Sequence, residues 1–246
     1  MRTRESPPTW VVALGSCLLA WAASAASLPV ILDTDIGDDI DDTWALAMLL
    51  GMPQLDLKLI VTDYGNTPER TRLTAKILER VGRTDIPIAT GIKTGDTPLT
   101  VSDWVGDFNL ANYQGKVYQD GIRALVDTIN AHTQTVTLIT IGPVPNIQEA
   151  LRRDPGITQR ARVVCTGGRI YKGFENGGTP AADWNVRADP AAWQALVAAP
   201  WEITASPLDG SEEIVLRGRR FAQVAASDHP LARPELVREV LAGDRH

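Results

Sequence analysis

Apolar runs of strand length alternate with helix-patterned segments from residue 28 to residue 207, and this alternation restricts the chain's fold more than any other feature. The runs "LPVILD" (28–33), "LDLKLIVTD" (55–63), "IPIATG" (86–91), "VTLITIG" (136–142), "ARVVCTGG" (161–168) and "WEITASP" (201–207) read as strands. Between them, "DDTWALAMLLGM" (41–52), "TPERTRLTAKILERVG" (67–82), "GIRALVDTINAH" (121–132), "VPNIQEALRRD" (144–154) and "DPAAWQALVAA" (189–199) read as helices. Thr67 with Pro68, and Asp189 with Pro190, supply N-cap and first-turn signals. Strand–helix alternation at this spacing predicts a single-domain, open, mostly parallel α/β sheet with helices on both faces, a Rossmann-like core. At 246 residues and 44% apolar content the chain is long enough to bury such a core. Ligands of open parallel sheets bind beyond the carboxyl ends of the strands. The residues that follow each strand are therefore the ones to read for function.

After the first strand come six aspartates in ten residues: Asp33, Asp35, Asp38, Asp39, Asp41 and Asp42. Carboxylates this close repel and raise each other's pKa unless a cation sits among them. After the later strands come Asp63-Tyr64-Gly65-Asn66, Pro143-Val144-Pro145-Asn146 and Thr166-Gly167-Gly168, and "NGGTPAADWNVRADP" adds Asn176, Asp183, Asn185 and Asp189. These are hard oxygen donors with no histidine or cysteine cluster, a set that suits Ca²⁺ or Mg²⁺ over zinc. Helix N-capping by Asp41 or Asp42 accounts for one or two of the aspartates, not six. An EF-hand loop fails, because Trp44 stands where its bidentate glutamate belongs. Asp33-Thr34-Asp35 at the end of an apolar strand fits the nucleophile motif of haloacid-dehalogenase-like phosphatases. Gly37 then replaces the usual threonine or valine, which leaves that reading a weaker alternative.

"ILDTDIGDDIDDTWALAML" resembles the N-terminal signature of the inosine-uridine preferring nucleoside hydrolases, the calcium-dependent nucleoside N-ribohydrolases. Ile36 replaces the usual proline, and two extra residues precede Asp41-Asp42. "VTDYGN", "IGPVPN", "TGG", "GGTPAADWNVRADPAA" and, weakly, "PLDGSEEIVL" continue the likeness in order, over roughly residues 28 to 216. The resemblance implies hydrolysis of the N-glycosidic bond of ribonucleosides to free base and ribose, with a Ca²⁺-bound water activated by an aspartate. It assigns Asp35 as metal ligand and general base, Asp42 as bidentate metal ligand and Asp41 as a ribose ligand, with Asp39 a rival for either of the last two roles. It further implies the main-chain oxygen of Ile141 as a metal ligand, and Asn66, Asn176, Asp183, Trp184 and Asn185 as substrate contacts. Asp183 is one methylene shorter than the family's commoner glutamate.

The family's last landmark, a C-terminal aspartate that completes the calcium shell, has no counterpart of matching context; Asp228-His229-Pro230 carries similar letters in another order. A homologue that binds a nucleoside or sugar without turnover is therefore the second reading. Family members are often dimers or tetramers, which leaves a homo-oligomer open. The net charge of −6 and the absence of a basic patch argue against nucleic acid as a partner. Residues 1–26 read as a cleavable secretory signal: Arg2 and Arg4, an apolar stretch from Trp10 to about Ala22, then Ala23-Ser24-Ala25-Ala26. That predicts a periplasmic or secreted mature domain, 27–246, of net charge −7, with no membrane span after cleavage. A lipoprotein signal ending at Cys17 is the lesser reading. Cys165 is then the only cysteine of the mature chain and reads as a buried strand residue. Residues 92–120 lack periodicity but hold Trp104, Phe108, Tyr113 and Tyr118. They read either as a lid whose aromatics stack a base or as a loop packed on the body.

Overall fold

The computed structural model describes residues 27–171, 182–211 and 214–227. The signal-like segment 1–26, Asn176 and Asp228-His229-Pro230 lie outside them. Seven strands form one sheet: β1 (Leu28–Thr34), β2 (Leu55–Thr62), β3 (Ile88–Thr90), β4 (Val117–Tyr118), β5 (Val136–Thr140), β6 (Ala161–Thr166) and β7 (Ile203–Ser206). Their order is β4-β3-β2-β1-β5-β6-β7 and every pairing is parallel. The longer helices between them are α1 (Asp41–Leu50), α2 (Thr67–Arg80), α4 (Gly121–Ala131), α5 (Pro145–Arg153) and α7 (Pro190–Ala198). Shorter ones are α3 (Ser102–Val105), α6 (Trp184–Ala188), α8 (Leu208–Ser211) and α9 (Gly218–Ala225).

A parallel sheet needs cover on both faces, and the alternation of side chains along each strand supplies two cores. Val30 and Leu32 of β1 and Ile60 of β2 point to one face, where they meet Leu46 of α1 and Leu73, Ile77 and Leu78 of α2. Ile31, Leu59 and Val61 point to the other, against Leu125 and Ile129 of α4, Ile147 of α5 and Leu196 of α7. Cys165 is buried in this second core, as the sequence predicts, and burial pushes its thiol up to about 11.

Sequence and structure differ at the start of α2, and the short elements β4, α3, α6, α8 and α9 have no counterpart among the strands and helices read from the sequence. Thr67 does not cap α2; Asn66 holds that position and Thr67 begins the helix. β4 is only two residues long, too short for any periodicity to show. Of the two readings of 92–120, the structure follows the loop packed on the body: Trp104, Phe108 and Tyr113 pack on the α1–α2 core, and Tyr118 packs on the opposite one. The outer face of α2 fastens this segment down, with Arg72 Nε donating to Phe108 O at 3.0 Å and Lys76 Nζ 4.6 Å from the Trp104 ring centre. No helix among the described residues is long and apolar enough to cross a membrane.

Successive strands run outward from β1 in one direction (β2, β3, β4) and from β5 in the other (β6, β7). β1 and β5 therefore flank the point where the strand order reverses, which is where open parallel sheets bind ligands. Register places Asp33 level with Val61 on one side and Thr140 on the other. Asp35, Asp63 and Ile141 consequently leave the sheet at one level, at its carboxyl edge.

Candidate active site

A cavity of about 590 Å³ opens at that edge. The β1–α1 loop and the start of α1 supply Asp35, Asp38, Asp39, Asp41 and Asp42 to its wall. Ile141 comes from the end of β5, Thr166 and Gly167 from the end of β6, Asp183, Trp184 and Asn185 from the start of α6, and Leu208 and Ser211 from α8. Of the residues singled out in the sequence, the structure thus gathers Asp35, Asp39, Asp41, Asp42, Ile141, Asp183, Trp184 and Asn185 around one space. Asn66 stands outside this lining, with its Nδ2 donating to Glu69 Oε2 at 3.0 Å.

Each carboxylate is held in a definite way. Asp42 is buried and accepts from Thr34 Oγ1. Asp39, Asp41 and Asp42 bring carboxylate oxygens within 4.8 Å of one another. Asp183 caps α6: its Oδ1 accepts from Val186 N at 3.1 Å and its Oδ2 from Gly168 N. Asn185 Nδ2 donates to Ile141 O at 2.9 Å, so the main-chain oxygen assigned to the metal by resemblance is here engaged by a neighbouring site residue. Trp184 lines the cavity and is 58% exposed, with Arg187 5.9 Å from its ring centre.

Behind Asp35 lies a polar layer that the sequence marked only by its position after strands. Asn146 is buried and fully engaged: Nδ2 donates to Asp33 Oδ2 (2.8 Å) and Thr62 O (3.1 Å), while Oδ1 accepts from Ile92 N (2.8 Å). Asp63 Oδ2 accepts from Val144 N at 2.8 Å. Val144 adopts φ 64°, a left-handed conformation rare for a β-branched residue. Gly142 is required for close approach: a Cβ there would lie 2.9 Å from both Asp35 Oδ1 and Asp63 Oδ2. Arg70 is almost fully buried beneath the loop, and nothing in its sequence context marks it.

This is a concentration of negative charge that the protein alone does not neutralise. Burial pushes Asp35 up to about 7, with Arg70 opposing the shift and Asp63 adding to it. Burial likewise raises Asp33 to about 7, and burial with Asp41 beside it raises Asp39 to about 8. Asp42 is held well above the usual carboxylate range by burial, then by Asp35 and Asp41. Asp33 Oδ1 and Asp63 Oδ1 are buried without a partner. Oxygen-only donors, mutual proximity and uncompensated charge fit a hard divalent cation.

A sign follows for stability. These aspartates bind protons more tightly folded than unfolded, so the cation-free protein loses stability as pH rises from about 4 to about 8. A cation that takes the charged carboxylates removes that loss. Added Ca²⁺ is therefore expected to raise Tm more at pH 8 than at pH 5, read by thermal unfolding in matched buffers. Equal shifts at the two pH values would contradict the account.

Together the sheet order and the cavity define a parallel α/β protein with a polyacidic, oxygen-donor site at the switch point of its sheet. The inosine-uridine preferring nucleoside hydrolase family matches residues 30–243, and the chain belongs to that family of enzymes acting on N-glycosyl compounds. It is 30% identical over 217 residues to a probable uridine nucleosidase of Arabidopsis thaliana, covering 82% of this chain and 66% of the relative. It is 29% identical over 234 residues to the pyrimidine-specific ribonucleoside hydrolase RihA of Salmonella typhimurium, covering 87% of this chain and 70% of that one. The chain thus spans about two thirds of the length of these relatives. Among solved structures, a plant nucleoside hydrolase superposes with TM-score 0.72 at 24% identity, over 89% of this chain and 70% of its own. An inosine-uridine preferring nucleoside hydrolase from Bacillus anthracis does so with TM-score 0.69 at 21% identity, over 88% and 80%. At these identities the superpositions establish the shared fold. The phosphatase alternative finds no support in any of these comparisons.

Proposed function

We propose that the chain hydrolyses the N-glycosidic bond of ribonucleosides to free base and ribose, with Ca²⁺ held by Asp35, Asp42 and the main-chain oxygen of Ile141, and with Asp39 as a further candidate ligand. The observation that carries this reading is the convergence of the β1–α1 aspartates with Asp183 and Asn185 on one cavity at the sheet's switch point. Cleavage of such a bond passes through an oxocarbenium-like sugar cation, and carboxylates around the ribose stabilise its positive charge. When bound, Ca²⁺ would orient water and the ribose hydroxyls and lower the water's pKa. Asp35, half-buried in the cavity lining, takes the proton of the attacking water. Asp41, Asp183 and Asn185 hold the sugar hydroxyls, and the exposed Trp184 ring offers a face to the base. The N-terminal segment 1–26 directs export, a proposal that N-terminal sequencing of the secreted or periplasmic protein tests.

The cavity's wall also favours a neutral substrate. It carries carboxylates and, among the described residues, no lysine or arginine. A 5′-phosphate would face like charge, which costs several kcal/mol at close range. Incubating the protein with Ca²⁺ and inosine, uridine, adenosine or cytidine is expected to yield equal amounts of free base and ribose by chromatography. The matching 5′-monophosphates are expected to react at least about tenfold more slowly. No product from any nucleoside would instead favour a homologue that binds without turnover.

A further inference from the structure

We propose that Arg70 is a positioning residue whose buried guanidinium ties the acidic β1–α1 loop to the β2–α2 loop and so aims the Asp35 carboxylate into the cavity. Arg70 is only 2% exposed, and it spends its donors mainly on backbone. Nη1 donates to the main-chain oxygens of Asp35 and, at 2.9 Å, Ile36. Nε donates to Tyr64 O at 2.9 Å, and Nη2 to Asp38 Oδ2 at 2.7 Å. A buried arginine that met the carboxylate of Asp35 directly would compete with a cation for it. Here the fork takes the carbonyls and leaves the Asp35 side chain free to line the cavity. The same fork holds Tyr64 at φ 54°, a conformation a tyrosine rarely adopts. Planar geometry is needed, because one point donor cannot reach both loops along these directions. Sequence position hides the role: Arg72, two residues on, reaches outward to Phe108 O instead.

The inference rests on the cation reading of the cavity, and its test separates the two. Two variants keep every carboxylate and the net charge. Arg70→Lys removes the fork. Gly65→Ala keeps the arginine but places a methyl 3.2 Å from its Nη2 at a backbone φ of 63°, and so crowds the fork and strains the β2–α2 loop it holds, even if the first variant folds poorly. Hydrogen exchange of the cation-free protein reads the clamp. The reporter is the Ile36 amide, which donates to Thr34 Oγ1; the Asp63 and Ile141 amides, bonded to Thr34 O and Asp33 O, are the sheet controls. Calorimetric titration with Ca²⁺ reads the consequence. The expected result is Ile36 exchange at least tenfold faster in both variants with the controls unchanged, and Ca²⁺ affinity about tenfold weaker. Unchanged Ile36 exchange, a rise shared equally by the controls, or faster Ile36 exchange with undiminished affinity would each overturn the proposal. Absence of Ca²⁺ binding to the unmutated protein would remove the cation reading, while the exchange contrast would still judge the clamp.

Discussion

Asp35→Asn is expected to lower kcat for ribonucleoside hydrolysis by roughly a thousandfold at saturating Ca²⁺, within the range general-base catalysis supplies. Asparagine keeps the size and one oxygen donor of aspartate but cannot accept the proton of water. Asp35 is also placed to ligate the cation, so the variant must be assayed across a Ca²⁺ titration. If added Ca²⁺ restored full turnover, Asp35 would be only a ligand and the base would lie elsewhere. A thousandfold loss that persists at saturation assigns it the proton. The variant should fold, since the main-chain oxygen of Asp35, not its carboxylate, takes the buried guanidinium of Arg70.

Asp42→Asn is expected to move stability in opposite directions with and without the cation. In the cation-free protein the Asp42 carboxylate is buried against Asp35 and Asp41, and its charged form is disfavoured. A neutral amide relieves that repulsion and raises Tm in chelator at pH 8. The same change deletes a buried carboxylate of the proposed metal set, which is expected to weaken Ca²⁺ binding by about a hundredfold or more. The Ca²⁺-induced rise in Tm should then vanish at concentrations that stabilise the unmutated protein. A variant that is destabilised in chelator, or that keeps its Ca²⁺ response, would remove Asp42 from the proposed metal set.

Much of this architecture is legible in the sequence because a parallel sheet writes its buried strands as apolar runs. "LPVILD" and "VTLITIG" mark β1 and β5, and the polar residues just after them fall at the switch point. The acidic loop is equally plain, because no solvated turn needs six aspartates. What escapes sequence reading depends on the third dimension. Arg70 and Arg72 look alike on an amphipathic helix, and only packing shows that one points beneath the loop while the other grips Phe108. The aromatics of 92–120 leave a base-stacking lid and a packed loop equally open, because burial cannot be read where periodicity is missing; packing decides for the loop, with Trp104, Phe108 and Tyr113 against the core beside α2. Asn66 follows the motif, but from the N-cap position of α2 its side chain donates to Glu69 and stands outside the cavity lining. Asp63 and Asn146 were seen as polar groups at strand ends, yet their part as a buried layer behind Asp35 rests on β1, β2 and β5 being neighbours.

The measurement that bears most directly on the central claim is free ribose released from inosine and uridine by one preparation, first stripped with chelator and then titrated with Ca²⁺. The expected result is no release after stripping and a saturable return of turnover as Ca²⁺ is added, with the midpoint matching the Ca²⁺ concentration that raises Tm. Undiminished release in chelator would contradict the claim that the aspartates of the β1–α1 loop work through a bound cation. Silence at every Ca²⁺ concentration would contradict turnover itself.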